Sequence, residues 1–169
     1  MDGRGQLQWT QKQPAVPSIR QIAGTCSELA GRIAADARLA LRSSPCMRFY
    51  WQVGGTQQAM MAVFNSSRLR AVAVAELAKF SNQYPEVVHG FAFDYEYHYD
   101  TVPPDPHFCV QPDCLGPVKR GLTTFLSGLK AATGHGVHWW TGGLTWFANT
   151  CDVAAIQPYV DVLELAAYW

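Results

Sequence analysis

Apolar positions along this chain change their period several times, and each change predicts a new element. From Ser18 to about Ser43 they fall at Ile19, Ile22, Cys26, Leu29, Ile33, Ala37 and Leu41, the spacing of one helix face. Ser18 with Gln21 reads as a capping box at its start, and Pro45 ends it. Phe49-Tyr50-Trp51-Gln52-Val53 then predicts a short buried strand, stopped by Gly54-Gly55. An irregular stretch is expected through Asn65-Ser66-Ser67. Leu69, Val72, Ala73, Leu77 and Phe80 predict a second helix that ends before Pro85.

The segment that follows is a nearly uncharged run ending in acids. Val87, Val88, Phe91, Phe93 and Tyr95 have the β-forming, apolar character of a strand buried on both sides. Side chains alternate along a strand, so Ala92, Asp94 and Glu96 share one face while Phe91, Phe93 and Tyr95 share the other. Asp94 and Glu96 are then roughly 6.5–7 Å apart. At that distance one carboxylate disfavours ionisation of the other and keeps a proton available for general-acid chemistry. The plainer alternative is that both acids mark the point where the strand meets water.

Beyond Tyr97 the chain carries Pro103, Pro104, Pro106 and Pro112, which predicts a long loop to Gly116 at the carboxyl end of that strand. Pro117 suits the first turn of a third helix with Leu122, Phe125, Leu126 and Leu129 on its face and Gly134 as its stop. Val137-His138-Trp139-Trp140 predicts another strand, with Trp139 and Trp140 on opposite faces. A short helix over about Cys151 to Ala155 and a buried strand over Asp161 to Trp169 complete the pattern. Strand alternating with helix predicts an α/β fold with a parallel sheet. One domain is expected over 17–169, preceded by an irregular segment over 1–16.

Composition narrows the partners. Thirteen basic and 13 acidic residues with no basic cluster argue against nucleic acid or an anionic membrane as a partner. No apolar run approaches the ~18 residues of a membrane span, and the first 16 residues show no apolar core of a signal peptide. An extracellular location is expected only if a longer gene supplies such a signal. Cys109 and Cys114 could close a small loop by a disulfide in an oxidising compartment. No cofactor is expected, and cysteine spacing offers no zinc site. Cys26 reads as a small core residue. His89, His98, His135 and His138 read as surface or satisfied residues, with proton transfer as the alternative.

His89 to Glu96 resembles the Asp-Gly-x-Asp-x-Asp-x-Glu motif on the fourth strand of the chitinase-type glycoside hydrolases of family 18. Gly90, Asp94 and Glu96 match it, while His89 and Ala92 stand where the family has its first two aspartates. Gln52-Val53-Gly54-Gly55 is similar to the third-strand Ser-x-Gly-Gly, with Gln52 for the serine. Ala166-Ala167-Tyr168-Trp169 is similar to the sixth-strand Met-x-Tyr-Asp, keeping only Tyr168. The resemblance covers residues 17–169 and implies a partial TIM (β/α)8 barrel running from about the second helix to the sixth strand. A complete barrel typically needs ~250 residues, so a piece of a larger barrel is expected from the 169 here, with a compact half-barrel as the alternative.

The resemblance implies roles. Glu96 would protonate the leaving-group oxygen, Asp94 would orient the substrate's acetamido group, and Tyr168 would donate to that group. The nucleophile would then be the substrate's own acetamido oxygen, an exception to the two-carboxylate scheme. Gly54, Gly55, Tyr95, Trp140 and Trp169 would line the sugar site, and the partner would be chitin or an oligosaccharide containing N-acetylglucosamine. Two readings follow. One is a retaining glycosidase cleaving β-1,4 N-acetylglucosamine linkages, supported by Glu96 and Asp94. The other is a chitinase-like sugar-binding protein with weak or no turnover, supported by Ala92, Gln52 and Trp169.

Overall fold

Four short parallel strands lie side by side in chain order, with the intervening helices packed on one face. The computed structural model describes residues 26–53, 57–94, 112–141 and 152–165. Helix α1 spans Cys26–Ser43, strand β1 Tyr50–Val53, helix α2 Gln57–Asn65 and helix α3 Ser67–Gln83. Strand β2 follows over Gly90–Asp94, helix α4 over Pro112–Thr133 and strand β3 over Val137–Thr141. The short helix α5, Val153–Ile156, runs through a 3-10 turn at Gln157–Tyr159 into strand β4, Val160–Leu165. The predicted α/β class and parallel pairing are both observed.

Strand alternation divides the sheet into a packed face and an open one. Trp51, Val53, Phe91, Phe93, Val137 and Trp139 are buried, and they meet the helices through aromatic contacts. Trp51 lies edge-on to Phe80 of α3 with ring centroids 4.8 Å apart. Phe93 lies edge-on to Phe125 of α4 at 5.5 Å and stacks on Trp139 at 6.0 Å. Such pairs add about 0.5–1.5 kcal/mol each beyond area burial. The predicted faces hold: Ala73, Leu77 and Phe80 of α3 and Leu122, Phe125, Leu126 and Leu129 of α4 are all buried.

Several boundaries differ from expectation. The stretch before Ser66 is helix α2, because Met60, Met61, Val63 and Phe64 all reach the core. Ser66 separates α2 from α3 and caps the latter, its hydroxyl accepting from the Leu69 amide. Helix α4 starts at Pro112, inside the predicted loop, since a proline at the first helical position loses no bond. In α1 the buried stripe is Ala30, Ala34 and Ala37, whereas Ile33 is 41% exposed. Small residues bring that helix close: a β-carbon on Gly31 would lie 3.9 Å from the Tyr84 hydroxyl, and Arg38 pairs with Glu86. Ile19, Ile22, the Ser18 cap and the loop over 97–111 lie outside the described residues, as do Cys109 and the pairing proposed for it.

Candidate functional site

Parallel pairing brings the carboxyl ends of all four strands, Val53, Asp94, Thr141 and Leu165, to one edge of the sheet. On the open face two rows of residues lead up to that edge. In the lower row Gln52 pairs with Ala92, Ala92 with His138 and His138 with Val162. In the upper row Asp94 pairs with Trp140 and Trp140 with Glu164. Gln52, Val162 and Glu164 are exposed, and Ala92 and His138 are half-buried.

Of the residues singled out from sequence, Asp94 and Trp140 are brought next to each other by register on β2 and β3. Trp139, the other half of the tryptophan pair, is core. Glu96, Tyr95, Gly54, Gly55, Tyr168 and Trp169 lie outside the described residues. Gly90 opens β2 at a close approach: a β-carbon there would fall 2.7 Å from the Tyr50 ring and 2.9 Å from the Gly136 carbonyl oxygen. Glycine at this position lets β2 sit between β1 and the turn before β3.

Sequence reasoning missed one polar pair on this face. His138 Nε2 lies 2.8 Å from Glu164 Oε2, and the His138 ring meets Tyr50 edge-on with centroids 5.7 Å apart. The alternation of each strand put His138 and Glu164 on definite faces, but only the register of β3 against β4 unites them. His89 has a different use at the opposite, amino end of β2. Its Nδ1 accepts from the Phe49 amide at 3.0 Å, and its own amide donates to the Phe49 carbonyl at 3.0 Å. Burial first, then the charge of Arg48 and the proximity of His135, hold the His89 imidazole below its ordinary pKa. His89 is therefore a neutral joint between β1 and β2.

Among the described residues no group of three or more His, Cys, Asp or Glu side chains is placed to hold a metal. No described helix is long and apolar enough to cross a membrane.

No protein-family model matches the chain, and no curated protein matches it. Solved structures do. The chain is similar to the C-terminal domain of a candidate chitinase from Desulfitobacterium hafniense DCB-2, with TM-score 0.59 and 16% identity, covering 86% of this chain and 40% of that one. It is also similar to ChiW from Paenibacillus sp. str. FPU-7, a cell-surface-expressed multi-modular chitinase, with TM-score 0.56 and 15% identity over 89% of this chain and 18% of that one. The chain thus spans less than half the length of either. At these identities the likeness is one of fold: the parallel α/β arrangement is one found in chitinase domains.

Proposed function

We propose that residues 17–169 form part of a (β/α)8 barrel of the family 18 glycoside hydrolase type, from about the second helix to the sixth strand, acting on N-acetylglucosamine polymers. The observation that carries this reading is the position of Asp94. It is the last residue of β2, at the shared carboxyl edge of a parallel sheet whose fold is similar to chitinase domains. The carboxyl end of the strands is where a β/α barrel builds its active site, and Glu96 follows two residues later.

In this reading Glu96 is the general acid, Asp94 orients the acetamido group that attacks the anomeric carbon, and Tyr168 donates to the same group. Trp140, in register with Asp94, is in this reading a sugar-stacking residue, and Gly54, Gly55, Tyr95 and Trp169 are further substrate-binding residues. A second reading, a sugar-binding protein without turnover, is favoured by Ala92. That residue lies in the row directly below Asp94 on β2 and has no proton to share. Titration with chitotetraose and hydrolysis of a chromogenic chitobioside from about pH 4 to pH 8 separate the two. Binding with turnover supports the hydrolase, binding alone supports the second reading, and no binding overturns both.

A further inference from the structure

At the β4 end of the sheet the helix layer thins out. Leu163 lies beside Trp139 on the helix-covered face by register, yet Trp139 is buried and Leu163 is 42% exposed. On the open face Val162, in register with half-buried His138, is 40% exposed. Apolar side chains thus stand bare on both faces of an outer strand. Among the described residues no strand pairs with the outer side of β4, and an apolar edge of this kind is a template for a further strand.

At the other end α1 leads into β1, the second outer strand. One flank of α1 is held to the connection between α3 and β2: Arg38 pairs with Glu86, and Gly31 faces the Tyr84 hydroxyl. Ile33 precedes Arg38 by five positions, about 140° round the helix, and is 41% exposed. Leu29 and Ala40 share its side and are half-buried, so the flank turned away from that connection is apolar. The two ends also differ in charge. Residues 26–53 carry Arg32, Arg38, Arg42 and Arg48 against Glu28 and Asp36, whereas residues 152–165 carry Asp152, Asp161 and Glu164 and no basic residue.

We propose that the chain self-associates through these ends as a two-fold dimer, with β4 of one copy seated in parallel beside β1 of the other and beneath its α1. Four parallel strands in chain order with helices on one face are half of a ring of eight, and a second copy supplies four more of the same direction. A two-fold axis brings each β4 end to the other copy's α1 and β1, so the ring closes with two identical seams. At each seam Leu163 meets the flank of Leu29 and Ile33, and the acidic end meets the arginines. The proposal goes beyond the hydrolase reading and is independent of it, since the ends of the sheet and not its carboxyl edge carry it.

Sedimentation equilibrium of the full chain should show a dimer as concentration rises, and no larger species. Ile33→Glu puts an acid opposite the acidic end, and Leu163→Lys puts a base opposite the arginines. Both positions are already exposed, so neither change should unfold the chain, which circular dichroism verifies. Each alone should raise the dimer dissociation constant at least about 10-fold, the scale of an interface anchor.

Mixed together, the two variants should dimerise again, because one seam of the mixed dimer is unaltered and the other joins opposite charges. That rescue separates the proposed seam from a pairing of β4 with β4, in which Ile33→Glu is silent and mixing restores nothing. A monomer at every concentration overturns the proposal and leaves these ends to the remainder of a longer barrel. A ladder of larger species, or no rescue on mixing, overturns it as well. Sugar binding and turnover are measured separately, so failure of the hydrolase reading leaves this result standing.

Discussion

A β-carbon on Gly121 of α4 would fall 1.7 Å from the carbonyl oxygen of Phe64 near the end of α2. The two helix backbones meet there without a side chain between them, and Arg70 of α3 donates to the same oxygen. Three helices thus converge on one atom. Gly121→Ala should therefore destabilise the fold by at least about 1–3 kcal/mol, the usual cost of overpacking. Gly128, seven residues further along α4, is the control. A β-carbon there lies 3.7 Å from Val74, an ordinary contact, so Gly128→Ala should stabilise by about 0.5–1 kcal/mol through helix propensity. Urea midpoints at constant m decide both, and equal effects would refute the close helix contact.

Acid should loosen the joint between β1 and β2. His89 accepts a hydrogen bond at Nδ1, which only the neutral ring does, and its folded pKa lies below the ordinary 6.5. The unfolded state therefore binds the proton more readily. Stability is complete above about pH 6.5 and falls as pH drops through the depressed folded value. His89→Asn keeps an acceptor for the Phe49 amide without a titrating group and should flatten the profile over that window. Denaturation midpoints at several pH values, in the two proteins, provide the measurement.

The core depends on Phe125, which contacts Phe64 at 5.7 Å and Phe93 at 5.5 Å and is fully buried. Phe125→Ala removes a ring shared by α2, α4 and β2 and should cost about 3–5 kcal/mol. Calorimetry showing less than about 1 kcal/mol would mean that this contact is not formed.

Ser66 is a smaller case. Its hydroxyl accepts from the Leu69 amide at 3.3 Å, so Ser66→Ala should cost about 0.5–2 kcal/mol by leaving a first-turn amide without its partner. Ser66→Asp, which keeps an acceptor at the cap, should retain most of the stability.

For the hydrolase reading proposed above, Glu96→Gln keeps the size of the side chain and removes the proton that this reading has it transfer. Hydrolysis of the chitobioside should fall by about 10²–10⁴-fold, the usual contribution of a general acid, while chitotetraose binding survives. Asp94→Asn should cost less, because in the proposed reading that residue orients and does not transfer. Full activity in Glu96→Gln would remove it from the catalytic role.

Local chemistry made much of this protein legible in its residues. The aromatic run from Phe91 to Tyr95 announces a strand, and four of its residues, Phe91 to Asp94, fall within β2. The stripe at Leu122, Phe125, Leu126 and Leu129 announces the buried face of α4, which all four occupy. Both signals are periodicities within one element, and burial acts on them directly. Boundaries were less legible. Pro112 reads equally as loop or as a helix start, and Met60 to Phe64 carry a helix whose apolar residues crowd too many sides to show a period.

Tertiary structure decided what lies between elements. Helix α1 turns its alanines inward and Ile33 outward because close packing near Tyr84 favours small side chains. The meeting of His138 with Glu164, 26 residues apart, depends on the register of β3 against β4. Period-two alternation assigns each side chain to a face but not to a neighbour across the sheet. By itself the sequence determined the strand character of β1, β2 and β3, the buried faces of α3 and α4, and that an acid, Asp94, stands at the end of a buried strand. Which side chain of one strand meets which of another, as His138 meets Glu164, followed only from how strands far apart in the chain align, since that alignment is set by packing of the whole sheet against its helices.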